Sequence, residues 1–334
     1  LDIDGDRALV SRGTAEQTSF WRSEPVDLVP GGLYRLRFSA RRLDGVGGGT
    51  VMSGTAFANR DLRQIDSTWQ RFSSYFATPA VLGERNWLRF GQWHLPGSVA
   101  FDDLRLDRVT AVHRRIRQGM SLGQGERIAD GRYVFRAPQR SALANHSRPL
   151  QSHQAGFNTY RWVFGAGEWV TYRHDIGGYR QTSAQVRLNV NYHTGGLLVV
   201  EARGDSSVPW TPVGTVDGAR TAVFDLPEEV LPAVAVLIRL RAAGARPVGA
   251  DADPGSFQID EYTYEAALAD GPPAAVGSTH LVAVAADPGR SFAAARIEAT
   301  GRLQPGVADT LTIRLGQALR EAESLRTRVA VTAT

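Results

Sequence analysis

The chain has 334 residues, enough for two or three compact domains. It carries 38 Lys and Arg against 34 Asp and Glu, so its net charge at pH 7 is only +4. The charges are scattered rather than clustered, which argues against a nucleic-acid-binding surface. The absence of cysteine excludes disulfides, thiolate metal sites and thiol nucleophiles.

No segment reaches the roughly 18 uninterrupted apolar residues that a membrane-spanning helix requires, so we expect no membrane span. The sequence opens at Leu1 without an initiator Met and without the pattern of a signal peptide. We therefore expect a processed, excised or truncated piece of a larger protein.

Apolar and polar residues alternate along much of the chain, as in half-buried strands. The pattern is clearest in residues 34–41, 184–192 and 234–240, and turns rich in Gly and Pro separate such stretches. Only residues 315–325 have the spacing of a short helix. Many short strands with frequent turns predict an all-β fold of antiparallel sandwiches.

Two segments share the order apolar, x, apolar, acid, acid, apolar, x, apolar: residues 99–106 and 257–264. In both, the apolar phase shifts by one residue across the acidic pair, which indicates a β-bulge or a change of strand partner. A polar stretch at 110–118 and a Pro/Gly break at 269–273 follow them and are interpreted as linkers.

These breaks divide the chain into three predicted units, at residues 1–110, 119–268 and 276–334. The third unit has candidate strands at 281–285, 310–315 and 329–332. It is shorter than the roughly 100 residues of a complete sandwich.

Three segments of the first unit resemble those of a known family. They are FWRSEPVDLVPGGLYRLRFSAR at 20–41, TWQRF at 68–72 and VAFDDL at 99–104. With them, residues 1–110 resemble a carbohydrate-binding module of the CBM4/9/22 type, a galactose-binding-like jelly-roll sandwich. The usual opening strand of such modules should precede Leu1.

This resemblance implies tandem jelly-roll β-sandwiches followed by a short Ig-like β unit. The second unit looks like a more distant jelly roll, and the third is similar to an Ig-like domain cut short. The modules of this family are appended to glycoside hydrolases and other secreted proteins, so a polysaccharide or glycan is the implied partner.

Seven tryptophans suggest platforms for sugar rings, with packing in the core as the alternative for each. In the first unit the best candidate is Trp93, whose neighbours Gln92 and His94 could hydrogen-bond sugar hydroxyls. Trp21 and Trp69 lie in segments that match the family and are expected in the core. In the second unit the candidate ligand-binding residues are Trp169, Tyr172 and Trp210.

The acidic pairs also suggest a metal site. In the resembled family, an aspartate at the position of Asp102 often joins backbone carbonyls around a structural Ca²⁺, a cation that prefers oxygen ligands. By analogy Asp260, together with Glu126, could hold another calcium ion. The alternative is that these carboxylates are solvated or bonded within turns.

We find no acid/base, nucleophile or metal constellation in the sequence that predicts an enzyme. Adjacent acids on a strand point to opposite faces and cannot form the facing carboxylates of a glycosidase. The seven histidines show no zinc-binding spacing, and no P-loop occurs. Asn145-His146-Ser147 matches a glycosylation acceptor.

We therefore predict a non-catalytic, carbohydrate-binding accessory region of a larger secreted or cell-surface bacterial protein. The alternative is a structural subunit or spacer of an extracellular fibre, adhesin or surface array. Such a subunit would self-associate by strand addition at open sheet edges.

Overall fold

The structure is a computed structural model that describes residues 2–3, 6–45, 48–62, 65–84, 86–116, 119–204, 208–249, 253–285 and 296–300. Every element of regular secondary structure in these residues is a β-strand, so the prediction of an all-β fold is confirmed. The predicted helix at 315–325 and the predicted strands at 310–315 and 329–332 lie outside the described residues.

We number the strands along the chain. The first ten are β1 (Asp2–Ile3), β2 (Asp6–Arg7), β3 (Leu9–Gly13), β4 (Thr18–Arg22), β5 (Leu33–Arg42), β6 (Thr50–Thr55), β7 (Ala58–Leu62), β8 (Gln70–Ala77), β9 (Leu88–Trp93) and β10 (Gly97–Arg115). The next eight are β11 (Ser121–Leu122), β12 (Glu126–Ala129), β13 (Arg132–Arg136), β14 (Leu150–His153), β15 (Gly156–Asn158), β16 (Arg161–Phe164), β17 (Trp169–Asp175) and β18 (Gln181–His193). The last eight are β19 (Leu197–Arg203), β20 (Thr211–Val216), β21 (Arg220–Asp225), β22 (Ala235–Ala243), β23 (Phe257–Leu268), β24 (Ala275–Val276), β25 (Thr279–Ala285) and β26 (Arg296–Thr300).

The first sandwich packs a sheet containing β3, β10, β5 and β8 against strands β4, β9, β6 and β7. Alternate residues of β5 enter its core, where Phe38 packs against Phe90 and Phe101. On the opposite face of β5, Arg35 and Arg37 donate hydrogen bonds to Asp107. The predicted half-buried strand at 34–41 is confirmed, because period-two alternation places one set of side chains inside.

The second sandwich packs the sheet β14-β17-β22-β19-β20 against a sheet that contains β12, β13, β23, β16, β18 and β21. Its core joins the two predicted alternating stretches, and the buried side chains include Val186, Leu188, Val190, Val236, Ile238 and Leu240. Tyr192 does not continue the inward series. The pairing with β23 shifts between Val190 and Tyr192, so the extra residue turns Tyr192 to the outer face.

Both predicted bulges are present. The register of β10 against β5 shifts between Asp102 and Arg105, and Asp103 has a φ of 52°. In β23, Asp260 is the extra residue of the bulge, because Glu261 pairs with Asn189 and Ile259 pairs with the next residue, Val190. The change of apolar phase across each acidic pair therefore reported an extra residue in a continuous strand.

The predicted linker at 110–118 differs from the structure. Strand β10 continues to Arg115, pairing with β25 at Val109–His113 and with β11 at its end. Residues 110–115 of this polar stretch are therefore a strand, because β25 and β11 supply its partners. A strand from the predicted third unit thus extends the first sandwich, whereas the remainder of the predicted Ig-like unit lies largely outside the described residues.

The two sandwiches share a sheet at the seam between them. Strand β7 pairs in parallel with β15, at Ala58 with Phe157 and at Asn59 with Asn158. At the end of β8, the Asn145 side chain accepts a hydrogen bond from the Ala77 N–H (2.8 Å) and donates one to the Ala77 carbonyl (2.9 Å). Asn145 is also buried, so the folded chain does not offer the glycosylation acceptor noted in the sequence.

Candidate functional site

A groove of about 910 Å³ crosses the seam between the two sandwiches. Its floor is the outer face of the shared sheet, because directly paired residues on neighbouring strands project to the same side. The strand register shows that one face continues across the sheet from β9 to β18. The directly paired residues on this face are Trp93 with Thr50, Met52 with Asp61, Asn59 with Asn158, Asn158 with Arg161, and Gln258 with Tyr192. The groove therefore draws its lining from both sandwiches.

Two loops form the walls of the groove. One wall is formed by Pro79, Val81, Leu82, Gly83, Glu84 and Asn86, with Val81 and Leu82 among its apolar members. The other wall includes Val248, Asp253 and Pro254. Two hydrogen bonds of 2.7 Å from Arg246 fix the Asp253 carboxylate. These bonds hold the pKa of Asp253 well below its ordinary value despite the opposing effect of burial, so this wall carries a fixed ion pair.

A polar network at the centre of the floor ties the two sandwiches together. The amide of Asn59 donates hydrogen bonds to Asp61 (2.7 Å) and to Asn158 (3.0 Å). Its oxygen accepts one from Arg89 (3.1 Å). These contacts fix the orientation of the Asn59 amide and hold a row of planar polar groups in place across the seam.

Arg161 extends this row into the second sandwich. It donates a hydrogen bond to the Gln258 side chain (3.2 Å), and its guanidinium stacks on Tyr160. Gln258 in turn donates to the Pro254 carbonyl of the wall (2.8 Å). The Nε of Arg161 is buried and has no hydrogen-bond partner among the described residues.

Glu168 also lines the groove. Burial raises the pKa of its carboxyl to about 7, although a hydrogen bond from the Gly165 N–H (2.6 Å) opposes the rise. At neutral pH this carboxyl is therefore present in both protonation states and can accept or donate a hydrogen bond.

The three candidates predicted in the first unit do not act together. Trp93 is 45% exposed, lines the groove and meets the His94 ring edge to face. His94 lies against the Ala15 carbonyl through its Nδ1 (2.9 Å). Gln92 is buried and donates hydrogen bonds to the carbonyls of Leu95 and Gly97. The prediction of Gln92 as a sugar contact is wrong, because neighbours on a strand face opposite sides.

In the second unit, Tyr172 points into the core. It is stacked on Tyr262 at 4.2 Å between ring centres, and its hydroxyl accepts a hydrogen bond from Trp162 (2.9 Å). Since it is buried, its prediction as a sugar platform is wrong. Trp169, which begins β17, and Trp210, which directly precedes β20, are both half-buried, and neither lines the groove.

Trp21 and Trp69 correct a further expectation. Both were expected in the core, but they are 49% and 37% exposed. Trp21 lies on β4, at the edge of the shared sheet, and donates to the Val10 carbonyl (2.7 Å). Trp69 precedes β8 and carries the Arg41 guanidinium over its ring.

The residues proposed for calcium do not fit that ion. Both oxygens of Glu126 are bonded to Arg148, and the Tyr133 hydroxyl donates to one of them. Asp260 accepts hydrogen bonds from Arg140 and from an asparagine amide, while Asp102 caps the next backbone N–H. Within the described ranges, no group of three or more His, Asp or Glu is placed to hold a metal ion. Calcium stays a prediction that this geometry does not favour.

No protein-family model matches the sequence, and no curated protein matches it either. Solved structures with a similar arrangement include the N-terminal CBM22-1-CBM22-2 tandem domain of Xyn10C from Paenibacillus barcinonensis. That likeness has a TM-score of 0.26 and 9% identity, and it covers 78% of this chain and 86% of that one.

Two further similar structures have other biological settings. One is the triple jelly-roll turret protein of an archaeal virus, with a TM-score of 0.22, 12% identity and coverage of 79% of this chain and 60% of that one. The other is the M60 catalytic domain with two CBM51 domains of ZmpB from Clostridium perfringens. This structure has a TM-score of 0.20, 10% identity and coverage of 80% of this chain and 36% of that one. At these TM-scores none of the likenesses carries an argument about function.

None of the described segments forms a helix long and apolar enough to cross a membrane.

Proposed function

We propose that this chain binds an extended glycan in the seam groove, as a non-catalytic accessory region of a larger secreted or cell-surface protein. The observation that carries the proposal is the floor of the groove. There Asn59, Asp61, Asn158, Arg161 and Gln258 form a fixed row of polar groups. At one end of this row lies the half-exposed indole of Trp93.

Such a row suits sugar hydroxyls. Amide, carboxylate and guanidinium groups offer paired donors and acceptors, and an indole offers an apolar face for a pyranose ring. Because the side chains are already held by one another, binding costs little side-chain entropy. A ligand could thus bind without rearranging the floor.

The dimensions favour a chain of sugars over a single ring. From Trp93 on β9 to Tyr192 on β18 the floor crosses six interstrand spacings of about 4.8 Å, roughly 29 Å in all. A ligand that reaches both ends must therefore be extended.

The test is a glycan array followed by titration calorimetry on the full chain with the best ligand. We expect Trp93→Ala to weaken binding about tenfold, or ~1.4 kcal/mol. Trp69→Ala is the matched control, since Trp69 is a similarly exposed tryptophan that does not line the groove, and it should bind as the parent does. Equal affinities of the two variants for the glycan would contradict the proposal.

The alternative of a structural subunit stays a prediction. Strand addition needs open edges, and the edges of β7 and β15 already pair with each other within the chain. Size-exclusion chromatography with light scattering tests the alternative directly, since a fibre subunit should form large assemblies.

A further inference from the structure

The second sandwich has a charged surface that does not line the groove. It is the outer face of the five-stranded sheet, and we call it the arginine–tryptophan face; its members are Trp169, Arg173, Arg203, Trp210, Arg239 and Arg241. The register pairs Trp169 with Arg241, and it pairs Leu237 with both Arg173 and Arg203. Side chains at directly paired positions share a face.

Positive charge is in excess on this face. Four arginines meet two carboxylates: Asp175, which pairs with Arg173, and Glu201, which is shared by Arg239 and Arg241. Burial opposes ionisation of Glu201, but hydrogen bonds from the two arginines outweigh it and lower its pKa. Glu201 therefore stays ionised and holds both guanidiniums in position.

Arg203 is the cation left for a ligand. It has no carboxylate partner among the described residues, and its buried Nε has no hydrogen-bond partner there. Its guanidinium lies 4.3 Å from the centre of the Trp210 ring, and that of Arg239 lies 4.4 Å from the same centre. Cation–π contacts of this kind restrict the two side chains before any ligand arrives.

We propose that the arginine–tryptophan face binds a polysaccharide that carries carboxylate groups, such as a chain of uronic acids. The planar guanidinium fork matches a carboxylate through two parallel hydrogen bonds. Trp169, beside Arg241, offers an apolar surface for the sugar ring. A net excess of two charges is too small to neutralise the many phosphates that nucleic-acid binding requires.

This site is independent of the proposed groove. The groove lies on the shared sheet, whereas the arginine–tryptophan face lies on the opposite sheet of the second sandwich. The two proposals can therefore fail separately, and Trp93→Ala should leave binding at this face unchanged.

The experiment measures binding of the full chain to polygalacturonate at low salt by calorimetry. The matched probe is the same polymer with its carboxyl groups reduced to alcohols; dextran sulfate and single-stranded DNA are the other polyanions. The test variant is Arg203→Gln with Arg241→Gln, which leaves Glu201 paired with Arg239. The control is Arg132→Gln with Arg187→Gln, which makes the same charge change on the other sheet of this sandwich.

We expect polygalacturonate to bind and the reduced polymer to bind at least about tenfold more weakly, the loss expected when a charge-assisted hydrogen bond is removed. The test variant should bind polygalacturonate more weakly than the parent by a similar factor, and the control variant should bind it as tightly as the parent. Equal binding of both polymers, equal loss in both variants, or tighter binding of dextran sulfate or DNA would overturn the proposal. Far-UV circular dichroism of both variants verifies that they fold.

Discussion

Lowering the pH from 7 to 5 should destabilise this chain sharply, because it buries histidines in their neutral form. Burial lowers the pKa of His113 to about 3 and that of His146 to about 4, and burial together with the nearby Arg148 lowers the pKa of His174 well below 6.5. In the unfolded chain each imidazole takes up a proton near pH 6.5. Below that pH the unfolded state therefore binds more protons, and stability falls with pH.

The size of the effect follows from these pKa values. At pH 5, each histidine that stays neutral in the folded state costs ~2 kcal/mol relative to pH 7, from ~1.36 kcal/mol per pH unit below 6.5. The three together cost ~6 kcal/mol, a large part of the 5–15 kcal/mol that typically stabilises a domain. Buried His153, whose pKa is lowered to about 4, adds a further cost of ~2 kcal/mol, and Glu168, whose pKa is raised to about 7, offsets about as much because it takes up a proton in the folded state. Carboxylates with lowered pKa values, such as Asp253 and Glu201, lose their contribution only at more acid pH.

His113 and His146 allow this reasoning to be tested directly. Their rings stack with centres 6.1 Å apart at the seam, where His113 on β10 also meets the Thr279 hydroxyl of β25 through its Nδ1. Arg148 adds positive charge nearby and further lowers the pKa of His113. Protonation of either ring thus introduces a charge beside other cations in a desolvated place.

The assay is urea unfolding followed by tryptophan fluorescence at pH 7 and pH 5. The variant His113→Gln with His146→Gln should remove ~4 kcal/mol of the pH dependence, whatever its stability at pH 7. The reasoning is refuted if the parent's free energy of unfolding changes by less than ~1 kcal/mol between the two pH values, or if the double variant retains the full dependence.

Three further changes test other parts of the structure. Asn145→Ala removes two hydrogen bonds to the Ala77 backbone and should lower the free energy of unfolding by ~1–3 kcal/mol, with faster amide exchange at the end of β8. Unchanged amide exchange would contradict a role of Asn145 in holding the end of β8. Gly91→Ala should lower the melting temperature strongly, since a Cβ there would lie 2.1 Å from the Ser19 carbonyl oxygen. The control is Gly218→Ala, whose Cβ meets open space. Similar melting temperatures of the two variants would refute this reasoning. Calcium should leave the melting temperature unchanged relative to EDTA, because guanidiniums and amides already occupy the candidate carboxylates, and a clear rise would restore the calcium prediction.

Local patterns in the sequence were sufficient to predict the strands and their irregularities. Alternation in residues 34–41 identified which side chains of β5 enter the core, and the phase shift at Asp102 located a bulge. Both signals are contained within about eight residues, since the period of a strand is two. The same rule, applied to Gln92 beside Trp93, would have placed that glutamine inside.

The groove depended on contacts that the sequence does not display. Asn59 and Asn158 meet although they are 99 positions apart, and their pairing is a parallel contact between two short strands. Neither residue belongs to a sequence motif. The alternation within each short strand shows only that the side chain lies on the outer face, and it does not show which residue lies beside it. The strand within the polar stretch at 110–118 was missed for the same reason, because its partners come from residues beyond 120 and near 280.

The parallel pairing of β7 with β15 has a consequence for how a polymer would engage both sandwiches. Modules joined by a flexible tether gain avidity through an effective concentration that the tether length sets. Here backbone hydrogen bonds fix the separation and the direction of the two half-sites. A polymer with a matching repeat and polarity can span them as a single site, whereas one with another repeat gains nothing from the second half.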